Sequence, residues 1–285
     1  MKKKLLYIML GIFIALVVAF GITWHFKGNI IKTYLIKHDV IEMNLNDRTD
    51  RIPILTFHSI VPDEDKENYY SKNQWVGKES TFEEMMKYLH DNDYHTLTLD
   101  EFYKWYKGEI ELKKNAVLIT FDDGKTDNYY FAAPILKKYD IHATFFIIGN
   151  KIEETTKPYT PGRVDYVGED AMDDIRENYP TIELQSHSYG FHYQKDKHYK
   201  VQDFSKEELL EDFEKQKELG FEYIAYPYGV YNDDVIAAAK EKDFKLGFAF
   251  KKYGYAYRGN NQYAIPRIKI NGEVDLDYLK KWLKH

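Results

Sequence analysis

Ala116-Val117-Leu118-Ile119-Thr120-Phe121-Asp122-Asp123-Gly124 is the stretch on which the reading of the fold turns. Its first part is a short apolar run with the β-branched content of a strand buried on both faces, so the two aspartates emerge at the strand's carboxyl end. Two carboxylates side by side in a partly buried site cannot both stay ionised without a cation or strong donors, because like charges a few ångströms apart push one pKa up. The resolutions are a shared proton or a metal ion. Further along, Ser186-His187-Ser188-Tyr189-Gly190-Phe191-His192 follows a second apolar stretch at residues 182–185. One carboxylate and two imidazoles make a three-ligand set for a borderline divalent metal that leaves a position for water, which is the arrangement of a hydrolytic site.

The same alternation of strand and helix extends outward from this stretch. Strands are expected at residues 52–57, 95–98, 116–119, 143–148, 182–185, 223–226 and 245–250, seven in all. Helices are expected at 82–91, 98–105, 129–139, 169–178, 205–219 and 233–242, the first, second and fifth opened by capping-box pairs Thr81/Glu84, Thr98/Glu101 and Ser205/Glu208. Residues 62–78 read as a charged, aromatic loop, residues 151–168 as a loop with two prolines, and the charged face over 207–218 as plain solvated surface. Repeated β-then-α order means a parallel sheet covered by helices, here an α/β fold of the irregular (β/α)7 barrel kind. Chemistry in such folds sits on the loops after the strand carboxyl ends. His58, Asp122, Asp123, His187, His192 and Tyr226-Pro227-Tyr228-Gly229 all fall there. There is no internal repeat and no low-complexity tract.

Composition narrows the partners. The net charge of −6 is spread as mixed signs along 285 residues, which leaves no basic footprint for nucleic acid. The 26 tyrosines against 4 tryptophans supply flat apolar faces with a polar edge, suited to sugar rings. Cysteine is absent, so any metal is held by nitrogen and oxygen. At the amino terminus, Lys2-Lys3-Lys4 precedes twenty uncharged residues, 5–24, enough to span a bilayer. This predicts a cytoplasmic tail at 1–4, a transmembrane anchor at 5–24, a stalk at 25–50 and an outward-facing domain at 51–285. The rival is a cleaved signal peptide with Ala19-Phe20-Gly21 as its small-x-small site, and it too delivers the body to the outside.

Three segments together carry a family resemblance: Thr120 to Gly124, the His187/His192 pair, and Ala225-Tyr226-Pro227-Tyr228-Gly229. Over residues 52–283 the chain resembles the polysaccharide deacetylases of carbohydrate esterase family 4, the NodB-homology group. Within that group it is similar to the poly-β-1,6-N-acetyl-D-glucosamine N-deacetylases of the intercellular adhesion and PgaB type, whose five-residue histidine spacing it shares. The resemblance implies a NodB-type barrel, with Asp122 as catalytic base and a divalent metal on Asp123, His187 and His192. Zinc is the expected ion, with cobalt or nickel also compatible with the ligand set. It further implies Pro227 and Tyr228 at the substrate, the Tyr228 backbone N–H stabilising an oxyanion. The family's C-terminal Leu-x-His is missing, and the subgroup's substitute is matched by Leu55-Thr56-Phe57-His58-Ser59-Ile60, making a protonated His58 the general acid. Ala225 stands where most members have arginine, and Arg267 is the candidate cation to orient the base in its place. The implied substrate is an extracellular N-acetylglucosamine polymer of biofilm matrix. Peptidoglycan, chitin-like oligomers and acetylated xylan are alternative glycans, and a non-catalytic surface carbohydrate-binding protein is an alternative class. The sequence leaves oligomeric state open.

Overall fold

The computed structural model describes residues 47–284, apart from 196–197, 200, 202 and 251–253. The expected tail at 1–4, anchor at 5–24 and nearly all of the stalk at 25–50 lie outside the described residues. Among the described residues no helix is long and apolar enough to cross a membrane.

From Thr49 onward the chain forms one compact unit. Its staves are β1 (Ile54–Phe57), β2 (Ala116–Phe121), β3 (Ala143–Ile147), β4 (Ile182–Ser186), β5 (Tyr223–Ala225), β6 (Leu246–Ala249), β7 (Ile265–Pro266) and β8 (Ile268–Lys269). Neighbours pair in parallel in the order β7-β6-β5-β4-β3-β2-β1-β8. Because β7 and β8 are two pieces of one extended segment broken only at Arg267, the two ends of this order meet. β7 pairs Ile265 with Phe248, and β8 pairs Ile268 with Leu55. The barrel therefore closes, but for a one-residue seam, with seven staves as expected.

One stave differs from the sequence reading. The strand expected at 95–98 shrinks to His95–Thr96 and pairs only with the first two residues of β2. The seventh stave is instead the 265–269 segment, whose proline and arginine hide its strand character.

Side chains alternate along each stave, and both faces are covered. Ile54, Leu118, Phe146, Ala225, Leu246, Phe248 and Ile265 form one cluster with Leu99, Phe102 and Trp105. Those last three belong to the helix Leu99–Tyr106, opened by the Thr98/Glu101 capping box that its sequence predicts. The intervening residues, Leu55, Phe57, Val117, Ile119, Phe121, Phe145 and Ile147, pack under helices including Glu79–Asp91, Ala133–Lys138 and Leu276–Leu283. Above the inner apolar layer Thr56 and Thr120 share a hydrogen bond of 2.9 Å between their hydroxyls.

Three local readings are corrected. The helix expected from 82 begins at Glu79 without a capping box, because Asp63 accepts the Ser80 N–H at 3.1 Å and its hydroxyl at 2.6 Å. Residues 62–78 are not all loop: a polar helix, Asp63–Tyr69, and a short strand, Val76–Lys78, stand there. The helix expected over 129–139 opens as a π-turn, Asn128–Ala132, before Ala133–Lys138; Pro134 has no N–H to continue an α-helical bond.

Phe248 lies between Phe102 and Phe146, at ring separations of 6.0 and 5.6 Å. Phe248→Ala is expected to lower stability by about 3–5 kcal/mol, read as a lower urea midpoint with an unchanged slope.

Candidate metal and active site

The candidate residues arise from carrying the inward alternation one step past the strands' carboxyl ends. Positions 54 and 56 lead to His58, 118 and 120 to Asp122, 183 and 185 to His187, 246 and 248 to Phe250, and 265 to Arg267. Asp123 should then face outward. It does not, because its backbone takes φ 78°, a left-handed conformation that turns both aspartates to one side. Gly124 follows at φ 68°, and a Cβ there would lie 2.8 Å from Ile147 Cδ1. Ser188 and Tyr228 are likewise left-handed, at φ 65° and 58°. Three such turns meet at one rim.

Arg267 is fully buried and grips Asp122 with both arms, Nη1 to Oδ1 at 2.7 Å and Nη2 to Oδ2 at 2.8 Å. Its guanidinium lies 4.4 Å from the Phe250 ring centre. Burial pushes the Asp122 carboxyl up, but the Arg267 charge and its hydrogen bonds, together with the other groups around it, hold the carboxyl below the usual carboxylate range. The seam of the barrel thus carries the cation expected to orient this carboxylate.

Asp123, His187 and His192 come together, their ligand atoms all within 4.8 Å of one another. Asp123 Oδ2 takes the Lys125 ammonium at 2.7 Å, while Oδ1 faces Nε2 of His192 at 3.1 Å and Nε2 of His187 at 3.5 Å. Oδ1 is buried with no hydrogen-bond donor. His187 Nδ1 lies 2.8 Å from the Ala225 carbonyl, which can only accept, so Nδ1 carries a proton and Nε2 is the nitrogen turned toward Asp123. Two imidazole nitrogens and a buried carboxylate oxygen gathered this closely are a donor set for a cation. The residues present therefore fit a divalent ion, and the Ala225 carbonyl is the outer partner that sets the ring's orientation. Burial opposes ionisation of Asp123, yet the charges around it, led by the Lys125 ammonium, hold it well below the usual range.

A cavity of about 390 Å³ joins Asp122, Asp123, His187, His192, Tyr228 and His58. Tyr228 stacks on His192 at 4.6 Å. Pro227 is buried beneath it in the turn Pro227–Gly229, and Arg267 sits behind Asp122, so neither lines the cavity. His58 packs on Trp75 at 4.4 Å. Burial pushes its imidazole down to about 4, so the ring rests neutral near pH 7.

Four residues escaped the sequence reading. Lys125 adjoins the motif but carries no pattern of its own. Trp75 and Lys269 reach the same cavity from segments whose polarity reads as loop. Asp212 lies on the helix Lys206–Glu218, whose charged face was expected to be solvated. It is buried, accepting the N–H groups of Tyr189 at 2.8 Å and Gly190 at 2.6 Å, and so pins the loop between the two histidines. Its spacing with Leu209, Phe213 and Gln216, all buried, was the available signal.

The Polysaccharide deacetylase family profile matches residues 109–247. The chain is 32% identical over 221 residues to the poly-β-1,6-N-acetyl-D-glucosamine N-deacetylase of Staphylococcus aureus, covering 74% of this chain and 73% of that one. The chain belongs to the polysaccharide deacetylase family. As a polysaccharide deacetylase it is a hydrolase of N-acetyl amides. The deacetylase also shares its fold with the Streptococcus pyogenes deacetylase PplD solved with acetate, at a TM-score of 0.69 and 25% identity over 82% of this chain and 99% of that one. IcaB of Ammonifex degensii has the same fold, with a TM-score of 0.68 and 20% identity over 84% and 99%.

Arg267→Met leaves the Asp122 charge buried and unpaired, and is expected to destabilise the deacetylase by about 3–5 kcal/mol. The lowered Asp122 pKa contributes stability that is present above its unfolded value and lost as pH falls through the folded one. In the variant burial lifts the carboxyl pKa above its unfolded value and the sign reverses: part of the lost stability returns as pH falls through the raised folded pKa, which urea unfolding across the acid range will show.

Proposed function

We propose that this deacetylase removes acetyl groups from an N-acetylglucosamine polymer, poly-β-1,6-N-acetyl-D-glucosamine, by metal-dependent hydrolysis. What carries the reading is the buried Asp123 oxygen facing two histidines beside an arginine-held Asp122, in a chain 32% identical to a deacetylase of that polymer. Asp123, His187 and His192 would hold the ion, zinc in the first instance with cobalt or nickel as alternatives. Bound there, it supplies Lewis-acid polarisation of an acetyl carbonyl and lowers the pKa of water.

Asp122, ionised by Arg267, takes the proton of the attacking water. The Tyr228 backbone N–H is the donor for the developing oxyanion, a contribution typically worth about 3–4 kcal/mol. His58 delivers a proton to the departing sugar nitrogen. Since burial keeps it neutral at rest, His58 draws that proton from solvent, and the proton Asp122 takes from the attacking water returns there, so the count closes on acetate and a free amine. Acetate and a free glucosamine amine result, and the amine becomes cationic. On a matrix polymer, scattered positive charges favour adhesion to anionic cell surfaces. The placement that goes with this role is outward-facing, with residues 5–24 as anchor or signal and 25–50 as stalk; the lysines at 2–4 and the uncharged run support it.

Acetate release from a β-1,6-linked N-acetylglucosamine oligomer is expected to vanish on chelation and return with zinc, cobalt or nickel. Preference for chitin-like, peptidoglycan or xylan substrates would move the activity to that polymer. Asp123→Asn is expected to lose both calorimetric metal binding and turnover, and Asp122→Asn to keep the metal and lose turnover; retained turnover in either, or loss of metal in Asp122→Asn, would overturn their roles. His58→Ala is expected to slow turnover by about 10²–10⁴-fold with metal affinity retained, and a normal rate would leave His58 a structural residue.

A further inference from the structure

The loop between the helix Asp63–Tyr69 and the strand Val76–Lys78 is tied down more firmly than a connection requires. Lys66 is only 5% exposed, and its ammonium donates to the Tyr70 carbonyl at 3.0 Å and the Asn73 carbonyl at 2.8 Å. The Gln74 carbonyl accepts the Gly272 N–H at 2.7 Å, and the Gln74 side chain accepts Lys269 Nζ at 3.0 Å. The Tyr70 hydroxyl accepts from Gly162 N–H at 3.0 Å and donates to the Arg163 carbonyl at 3.3 Å. A buried ammonium is stable only where its protons are placed, so a loop organised around Lys66 is a rigid one.

Its outer face nevertheless presents large rings. Tyr69 is 58% exposed and Trp75 39%. Gly162 backs the Tyr69 ring so closely that a Cβ there would lie 3.0 Å from Tyr69 Cδ1, so the ring is braced on one side and solvated on the rest. The loop lines a cavity of about 530 Å³ that shares Asn73 and Trp75 with the catalytic cavity. A fixed loop, an exposed tyrosine ring and a shared wall with the reacting site suit one occupant, the continuation of the same polymer.

We infer that this loop is a saccharide subsite, with Tyr69 stacking on a sugar that neighbours the residue being deacetylated and Trp75, whose ring carries the Lys269 ammonium at 3.4 Å, forming the wall between the two cavities. The inference rests on the glycan reading above. Neutral amide-bearing sugars suit it, since their C–H faces lie on aromatic rings while their polar edges stay in water. Trp75 also supports His58, which leaves Tyr69 as the residue whose change reports on the subsite alone.

The test is calorimetric binding of the β-1,6-linked N-acetylglucosamine dimer and hexamer to the chelated protein, which does not turn over. The wild type is expected to bind hexamer about tenfold more tightly than dimer. In Tyr69→Ala the ratio falls toward one, while Tyr69→Phe, which keeps the ring, retains it. An unchanged ratio in Tyr69→Ala, equal affinity of the wild type for both lengths, or loss in Tyr69→Phe equal to that in Tyr69→Ala each overturns the stacking subsite. The two readings separate in the same protein. Hexamer preference without acetate release from any glycan after metal addition leaves the subsite and removes the catalytic reading. Acetate release with no length preference does the reverse.

Discussion

The buried pair of Arg267 and Asp122 is the interaction on which the rest of the site depends. A carboxylate taken out of water at a strand end needs a charge opposite it, and the guanidinium meets both oxygens at hydrogen-bond distance. The arginine arrives on the segment that joins the last stave to the first, so barrel closure and the ionisation of Asp122 are one event. The pair also frees its neighbour. With Asp122 compensated from within, Asp123 can turn toward Lys125 and the histidines.

Around that pair the site is a further layer of the barrel interior. Apolar residues fill the lower layers, threonine hydroxyls form the next, and ionisable groups occupy the mouth. Five of the seven staves add a residue by the same alternation, which is how groups distant in sequence reach one site. The exception is Asp123, which breaks the alternation through a left-handed backbone, and this places two consecutive carboxylates in different chemical roles. Asp122 meets a fixed guanidinium, while Asp123 turns one oxygen to two imidazole nitrogens.

Loops outside the barrel are held by buried charges of their own. Asp212 takes two N–H groups of the histidine loop, and Lys66 takes two carbonyls of the aromatic loop. Neither touches the reacting centre, yet each sets the position of residues that do. Burial pushes Asp212 up to about 6, so its hold as a full carboxylate belongs to neutral pH.

The sequence by itself determined the repeated strand-helix order, the capping boxes at Thr98 and Ser205, and the placing of the aspartate pair and both histidines at strand ends. These follow from short-range periodicity and local hydrogen bonding, which are written in consecutive residues. Arg267 was legible as a candidate cation, but not as the closing stave, because a Pro-Arg break conceals two short strands whose identity lies in their partners. Asp212, Lys125 and Trp75 were hidden for a related reason: a charged or aromatic residue in a polar stretch looks solvated until the fold shows what faces it. Only the tertiary structure decided which of these groups are desolvated and paired, since burial and the sign of a neighbouring charge are properties of packing across the barrel rather than of any one segment.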